Sequence, residues 1–217
     1  MDSVNMSHSF EDKIRQILFD RIFCRIENID RSQLNEFIQQ ELEQFMSEHK
    51  IQIVHNPYGI ITVKVPLNDQ GLVKVTSYYL SGKIYEEYKR LGGKYHGKYI
   101  SYYQNGNKLV EKHYRYGVAY GKHIDYYLNG NPYSECNYVN DNYHGKYVEY
   151  YNNGNIKVMM KYKHGKRHGN YISYYENGNV KKECNFEHGK YHGKYVLYHE
   201  NGSIQETKYY KRSKKIN

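Results

Sequence analysis

The stretch KYVEYYNNGNIKVMMKYKHGKRHG, Lys146–Gly169, decides the fold, because the chain writes the same phrase repeatedly at one spacing. Its tyrosine pair Tyr150-Tyr151 recurs as Tyr78-Tyr79, Tyr102-Tyr103, Tyr126-Tyr127 and Tyr174-Tyr175, and returns as Tyr198-His199, each step being 24 residues. Two sets of glycines keep that beat. One is Gly82, Gly106, Gly130, Gly154, Gly178 and Gly202; the other, closing each copy, is Gly97, Gly121, Gly145, Gly169 and Gly193. A fixed period of this length marks a repeat array, in which each unit packs only on its neighbours.

Within one period the pattern is that of a hairpin. Val148 and Tyr150 share one face of a strand, and Tyr147, Glu149 and Tyr151 the other, as period-two geometry requires. Asn152-Asn153-Gly154-Asn155 supplies the turn, since Asn and Gly accept the positive φ of tight hairpins. The return strand is expected to put Ile156, Val158, Met160 and Tyr162 on one face and Lys157, Met159 and Lys161 on the other. The closing glycines are read as a second set of turns. The chain then pairs hairpin on hairpin in one mainly β, elongated, twisted, single-layer antiparallel sheet.

Stacking aligns columns: Ile100, Ile124, Val148, Ile172, Val196; Tyr102, Tyr126, Tyr150, Tyr174, Tyr198; and Tyr114, Tyr138, Tyr162, Phe186, Tyr210. Cross-strand aromatic and β-branched pairs contribute roughly 0.2–1 kcal/mol each. The ladders therefore matter as a sum. The 217 residues include 29 tyrosines and no tryptophan, and the mean hydropathy is −0.97, so rings whose hydroxyls stay wet must supply most of the burial.

The flanks read differently. Residues 1–50 carry Ser9 with Asp12 as a capping box ahead of Phe10, Ile14, Ile17, Leu18, Ile22 and Ile26, then Asp30 ahead of Leu34, Phe37, Ile38, Leu42 and Phe45. Two amphipathic helices are expected there, as an end cap or an interaction segment. Residues 51–72 read as a degenerate first repeat turning at Asn56-Pro57-Tyr58-Gly59, residues 73–210 as six regular copies, and 211–217 as a basic, disordered tail.

The pattern G-K-Y-x-x-Y-Y-x-N-G-N, followed by x-x-G-K-x-H-G, resembles MORN repeats, in particular the longer variant of bacterial antitoxin-like proteins and giant DNA viruses of amoebae. The resemblance covers Gly71 to Tyr210. Asp141 replaces a turn glycine, Tyr120 replaces the histidine before Gly121, and the last copy stops before its second turn. The resemblance implies an elongated sheet that works by protein association or membrane contact, and it implies no reaction. The abundance of Asn, Lys, Ile and Tyr suits an AT-rich viral genome.

Chemistry is poorly supplied. His96, His144, His168 and His192 form a column, but adjacent rungs stand about 10 Å apart by strand spacing, too far to share one zinc at about 2 Å. Turn packing is the expected role. Glu87, Glu111, Glu135 and Glu183 are expected to pair weakly with lysines such as Lys112 and Lys182. Cys136 and Cys184 share a column roughly 19 Å apart by strand spacing, beyond disulfide reach, and Cys24 lies elsewhere. No nucleophile motif, phosphate loop or carboxylate pair is present, so neither an enzyme nor a cofactor is expected. The sequons at Asn5 and Asn201 are read as unused, and with neither a leader pattern nor a run long enough to span a bilayer, a cytoplasmic setting is expected, whether host cytoplasm or virion.

Net charge is +9. Residues 1–50 hold more acids than bases, so the excess lies on the repeats. Lys98, Lys122, Lys146 and Lys194 form one column, expected to be an exposed stripe, and Lys94, Lys166 and Lys190 another. With the paired tyrosines Tyr103, Tyr127, Tyr151 and Tyr175, the first column makes the candidate interaction surface. The expected function is a non-enzymatic scaffold for a protein partner of unknown identity, with homodimerisation through the helices as one form of it. An anionic membrane surface is the alternative. Nucleic acid ranks last, since the rings that would stack on bases are committed to the sheet.

Overall fold

The computed structural model describes residue 40 and residues 43–55, 60–79 and 81–216. The chain divides into two compact units, Met1–Gln52 and Ile53–Asn217. In the first unit the described residues 43–48 are helical. Phe45 is buried there, and His49 stacks on its ring at 4.2 Å while its Nδ1 lies 2.9 Å from the Phe45 carbonyl oxygen. The rest of the two expected helices, the turn at residues 56–59 and Cys24 fall outside the described residues. No helix among the described residues is long and apolar enough to cross a membrane.

The strands run β1 (Gln52–His55), β2 (Ile61–Pro66), β3 (Leu72–Tyr78), β4 (Ile84–Leu91), β5 (Lys94–Tyr102) and β6 (Lys108–Arg115). They continue with β7 (Val118–Ala119), β8 (Gly121–Tyr126), β9 (Pro132–Val139), β10 (Asn142–Tyr143), β11 (Gly145–Tyr150) and β12 (Ile156–Lys163). Last come β13 (Lys166–Tyr174), β14 (Val180–Glu187), β15 (Lys190–Tyr198), β16 (Ile204–Lys211) and β17 (Lys214–Ile216). All belong to one open antiparallel sheet, in which successive strands pair as a meander.

Register fixes the faces. Tyr147 opposes Met160, Met160 opposes Tyr171, Tyr171 opposes Cys184 and Cys184 opposes Tyr195. Directly opposed residues share a face, so this row defines an aromatic face. The alternate row, Val148, Met159, Ile172, Glu183 and Val196, defines an aliphatic face. Both bury a column: Val148 and Val196 on the aliphatic side, Cys184, Phe186 and Met160 on the aromatic side.

The expected alternation fails at one place. Glu149 opposes Val158 but Tyr150 opposes Ile156, so Lys157 is an extra residue in a bulge. Ile156 is thereby separated from Val158 and turned to the opposite face. The same shift recurs in each hairpin, between Ser77 and Tyr78, Ser101 and Tyr102, Asp125 and Tyr126, Ser173 and Tyr174, and Leu197 and Tyr198.

The two glycine sets also part company. Gly154 closes a true turn: its N–H donates to the Tyr151 carbonyl at 2.9 Å, Tyr151 N–H donates to Asn155 at 2.8 Å, and φ is 90°. Gly82, Gly106, Gly130, Gly178 and Gly202 repeat this geometry. Gly97, Gly121, Gly145, Gly169 and Gly193 also have positive φ, but they do not reverse the chain. Gly97 sits in a bulge, since Tyr88 opposes Tyr99 and Arg90 opposes Tyr95. The second reversal is made instead at residue pairs such as His164-Gly165, with φ of 49° and 74°, both positive as a type I′ turn requires.

Asp141 and the C-terminal residues obey the same rule. Asn140-Asp141 takes φ of 49° and 62°, and Arg212-Ser213 takes 51° and 68°. The two residues that stand in the glycine position of these turns each make a side-chain bond: Asp141 Oδ1 accepts from Ala119 N–H at 2.7 Å, and Ser213 Oγ accepts from Tyr191 N–H at 3.1 Å. Hence the last copy completes its second turn. The expected disordered tail is in part strand β17, with Tyr209 opposite Ile216 and Lys211 opposite Lys214.

Candidate interaction surface

The aromatic face carries a ladder of half-buried rings. Tyr95 packs on Tyr88, Tyr99 and Tyr114 at 4.9, 5.8 and 5.2 Å between centroids. Tyr143 packs on Tyr138 and Tyr162 at 4.8 and 5.0 Å, and Tyr162 on Tyr147 at 5.9 Å. Tyr191 meets Phe186, Tyr195 and Tyr210 at 4.6, 5.9 and 5.4 Å. Edge-to-face and tilted pairs of this kind suit the ring quadrupole. Burial raises the pKa of Tyr99, aided by the Glu86 carboxylate that accepts its hydroxyl at 2.9 Å. Burial likewise raises that of Tyr147, beside Glu149.

Tyr95, Tyr143 and Tyr191 were not singled out as site residues from sequence. The signal was present, because Lys-Tyr-His-Gly-Lys-Tyr occurs whole at 94–99 and 190–195.

The candidate tyrosines stand at the turn edge and are engaged. The hydroxyls of Tyr103, Tyr127, Tyr151 and Tyr175 donate to the carbonyls of Tyr126, Tyr150, Tyr174 and Tyr198 at 2.7, 2.8, 2.8 and 2.8 Å. Lys157 binds Glu149 at 2.6 Å and lies 5.9 Å over the Tyr151 ring, which places that ring at the rim of the aromatic face. These residues therefore tie repeats together rather than offer free hydroxyls. An asparagine ladder runs beside them: Asn107, Asn131, Asn155 and Asn179 each donate a side-chain amide to the next turn, at Leu128, Asn152, Glu176 and Glu200.

The lysine column divides. Lys98 pairs with Glu111 at 2.9 Å and Lys122 with Glu135 at 3.1 Å. Thirteen residues after Lys146 and Lys194 the chain has Met159 and Thr207, so the same carboxylate is missing. The expected uniform stripe is thus partly neutralised. Glu111 is also held by Lys108 at 2.7 Å; burial would raise its pKa, and the two lysines more than offset this and lower it. Glu87 and Glu183 accept from the hydroxyls of Tyr102 and Tyr198 at 2.6 and 3.1 Å. The expected partners Lys112 and Lys182 lie on the other face, opposite Tyr99 and Ser173.

The histidines pack at the second reversals: His96 on Tyr116 at 4.9 Å, His144 on His164 at 5.7 Å and His168 on His188 at 6.0 Å. His192 Nδ1 lies 3.1 Å from Glu187. Among the described residues no group of three or more His, Cys, Asp and Glu could hold a metal ion.

One polar cluster interrupts the rings. His123 Nε2 lies 3.0 Å from Asp125 Oδ1, and Ser134 Oγ donates to Asp125 Oδ2 at 2.9 Å. Burial would raise the Asp125 pKa, but His123 and Ser134 outweigh it and hold the carboxyl below its ordinary value. The serine bonds the acid and not the imidazole, so the serine–histidine contact of an activated nucleophile is not made here. Burial pushes the free thiols of Cys136 and Cys184 up to about 12 and about 11, which keeps them protonated and poorly nucleophilic.

Among curated proteins none matches the chain. The solved structures with a weak likeness include two of TarM. The crystal structure of TarM has a TM-score of 0.24 and 9% identity over 77% of this chain and 25% of that one. A mutant TarM from S. aureus, in complex with fondaparinux, alpha-GlcNAc-glycerol and UDP, scores 0.20 with 12% identity over 69% of this chain and 26% of that one. The chain thus spans about a quarter of the length of those structures, and likeness at this level carries no functional inference. The MORN repeat variant pattern, by contrast, matches residues 95–116, 119–140, 143–164, 167–188 and 191–212, together half of the chain. With one hairpin of the sheet in each matched segment, the chain belongs to the MORN repeat variant family.

Proposed function

We propose that this chain is a non-enzymatic scaffold that binds a protein partner across its aromatic face. MORN repeats are protein- or membrane-binding modules, and the single observation that favours protein here is the ladder of half-buried rings from Tyr88 to Tyr210. Rigid rings give contact area at low entropic cost, and Tyr is enriched where interfaces concentrate their energy. An anionic membrane is the weaker alternative, because Lys98 and Lys122 already carry carboxylate partners.

The test is site-specific photo-crosslinking. A benzophenone amino acid at Tyr191 reports the aromatic face, and one at Tyr209, opposite Lys194, reports the other. Crosslinks to one protein from position 191 and not from 209 are expected. Crosslinks from 209 alone, or anionic-vesicle binding that Lys146→Gln with Lys194→Gln abolishes in the absence of any crosslink, would overturn the reading.

A further inference from the structure

One rung of the aromatic ladder is missing, and the repeat itself measures what belongs there. Stepping by the period from Tyr95 gives Ala119, Tyr143, Arg167, Tyr191 and Lys215. Each of these directly opposes the preceding strand at an equivalent residue: Arg90, Tyr114, Tyr138, Tyr162, Phe186 and Tyr210 in turn. The tyrosines bridge to the next repeat, Tyr95 to Tyr114 at 5.2 Å, Tyr143 to Tyr162 at 5.0 Å and Tyr191 to Tyr210 at 5.4 Å. Arg167 does so with its guanidinium 5.4 Å over Phe186. The methyl group of Ala119 cannot. A cleft opens there, lined by Lys112, Tyr114, Ala119, His123, Tyr138 and Asp141.

We propose that the cleft at Ala119 is an anchor pocket for an aromatic side chain, a tyrosine above all, of the protein partner; this rests on the reading that the partner lies on the aromatic face. Size is set by homology within the chain, because the equivalent space in the sister repeats holds a phenol ring between two return-strand positions. Orientation follows from the same comparison. Tyr138 packs on the Tyr143 ring at 4.8 Å, and Tyr114 stands to the cleft as Tyr138 stands to Tyr143. The guest phenol thus takes the Tyr114 ring as its near wall and the Tyr138 ring as its far wall, as Tyr143 lies between Tyr138 and Tyr162. That wall is preorganised, since the His123 ring stacks on Tyr138 at 5.4 Å with 22° between planes. Asp141 is fixed by its bond from Ala119 N–H. Filling such a pocket with one ring is how interface hot spots are built.

The experiment uses p-cresol, the tyrosine side chain alone, followed by NMR of the intact chain. Saturable shifts at Tyr114 and Tyr138 are expected, larger than those at Tyr162 and Tyr210. Ala119→Tyr supplies the missing ring, so it should abolish the binding and raise the melting temperature. Tyr143→Ala should open a second cleft and double the number of sites. Equal p-cresol binding by the wild type and Ala119→Tyr would overturn the pocket. Should Ala119→Tyr not fold, the wild-type shifts decide, and shifts of equal size at all four rings would overturn it. Because p-cresol reports the cleft and the Tyr191 crosslink reports the face, failure of one is visible without failure of the other.

Discussion

The Tyr151 hydroxyl donates to the Tyr174 carbonyl oxygen at 2.8 Å, reaching from one hairpin to the next beside the turns. Tyr79 makes the same bond to Tyr102 at 2.7 Å, so the link recurs along the array. It acts at the last ladder pair before the turn, Tyr174 opposite Val180. Tyr151→Phe is expected to cost about 1 kcal/mol, the usual net worth of such a bond. The change should appear as a lower urea midpoint with an unchanged slope. Replacing Tyr103, Tyr127, Tyr151 and Tyr175 together should lower it several times as far; a midpoint equal to that of the wild type would remove these hydroxyls from the account of stability.

Gly154 isolates the conformational term. A Cβ there would meet nothing within 4 Å, yet φ is 90°. Any cost of substitution is therefore backbone strain, about 1–2 kcal/mol for a left-handed residue. The expected order of destabilisation is Asn, then Ala, then Val, because Asn visits this region most readily and β-branching adds to the strain. Thermal melts followed by circular dichroism check the order, and an Ala variant melting no lower than the Asn variant would contradict it.

The 24-residue period made the hairpins, the turns at Gly154 and its equivalents, and the family legible, since turn chemistry and alternation agree in every copy. Alternation alone could not reveal the extra residue at Lys157, because a bulge keeps the same residue types and changes only which face they meet. For the same reason Gly154 and Gly169 look alike in the sequence, although one closes a turn and the other relaxes a bulge. The lysine column was visible, but its division was not. It depends on a residue across the strand, Glu111 beside Lys98 and Met159 in the equivalent place beside Lys146. The gap at Ala119 was written in the letters and acquires meaning only once Tyr114 and Tyr138 are known to flank it.

Alkaline titration should unfold the sheet. Burial raises the phenol pKa of Tyr88, Tyr114, Tyr171 and Tyr191 above the ordinary 10.0. A group whose folded pKa is raised adds stability below its unfolded value and loses it as pH climbs through the folded value. The tyrosine contribution to stability should therefore be flat up to about pH 10 and fall above it. Tyr88→Phe with Tyr114→Phe should soften the fall, read as urea midpoints across pH beside the phenolate absorbance. Phenolate appearing in full at ordinary tyrosine pH, with no loss of strand signal, would show the rings to be free.

The C-terminal strand offers the sharpest contrast between sequence and structure. A disordered tail could be removed without consequence, whereas β17 covers the outer edge of β16, and the Ser213 N–H and Oγ bond the Tyr191 carbonyl and N–H at 2.8 and 3.1 Å. Deleting residues 212–217 would uncover Tyr209, Tyr210 and Lys211 along a bare strand edge, which is a template for another chain. The truncated protein should melt at a lower temperature and self-associate in sedimentation velocity. Ser213→Gly should do neither to the same degree, since it eases the strained φ of 68° and gives up only the hydroxyl bond. A truncated chain that melts with the wild type and sediments as a single species would mean that β17 contributes nothing in solution, and the array would then end in effect at Lys211.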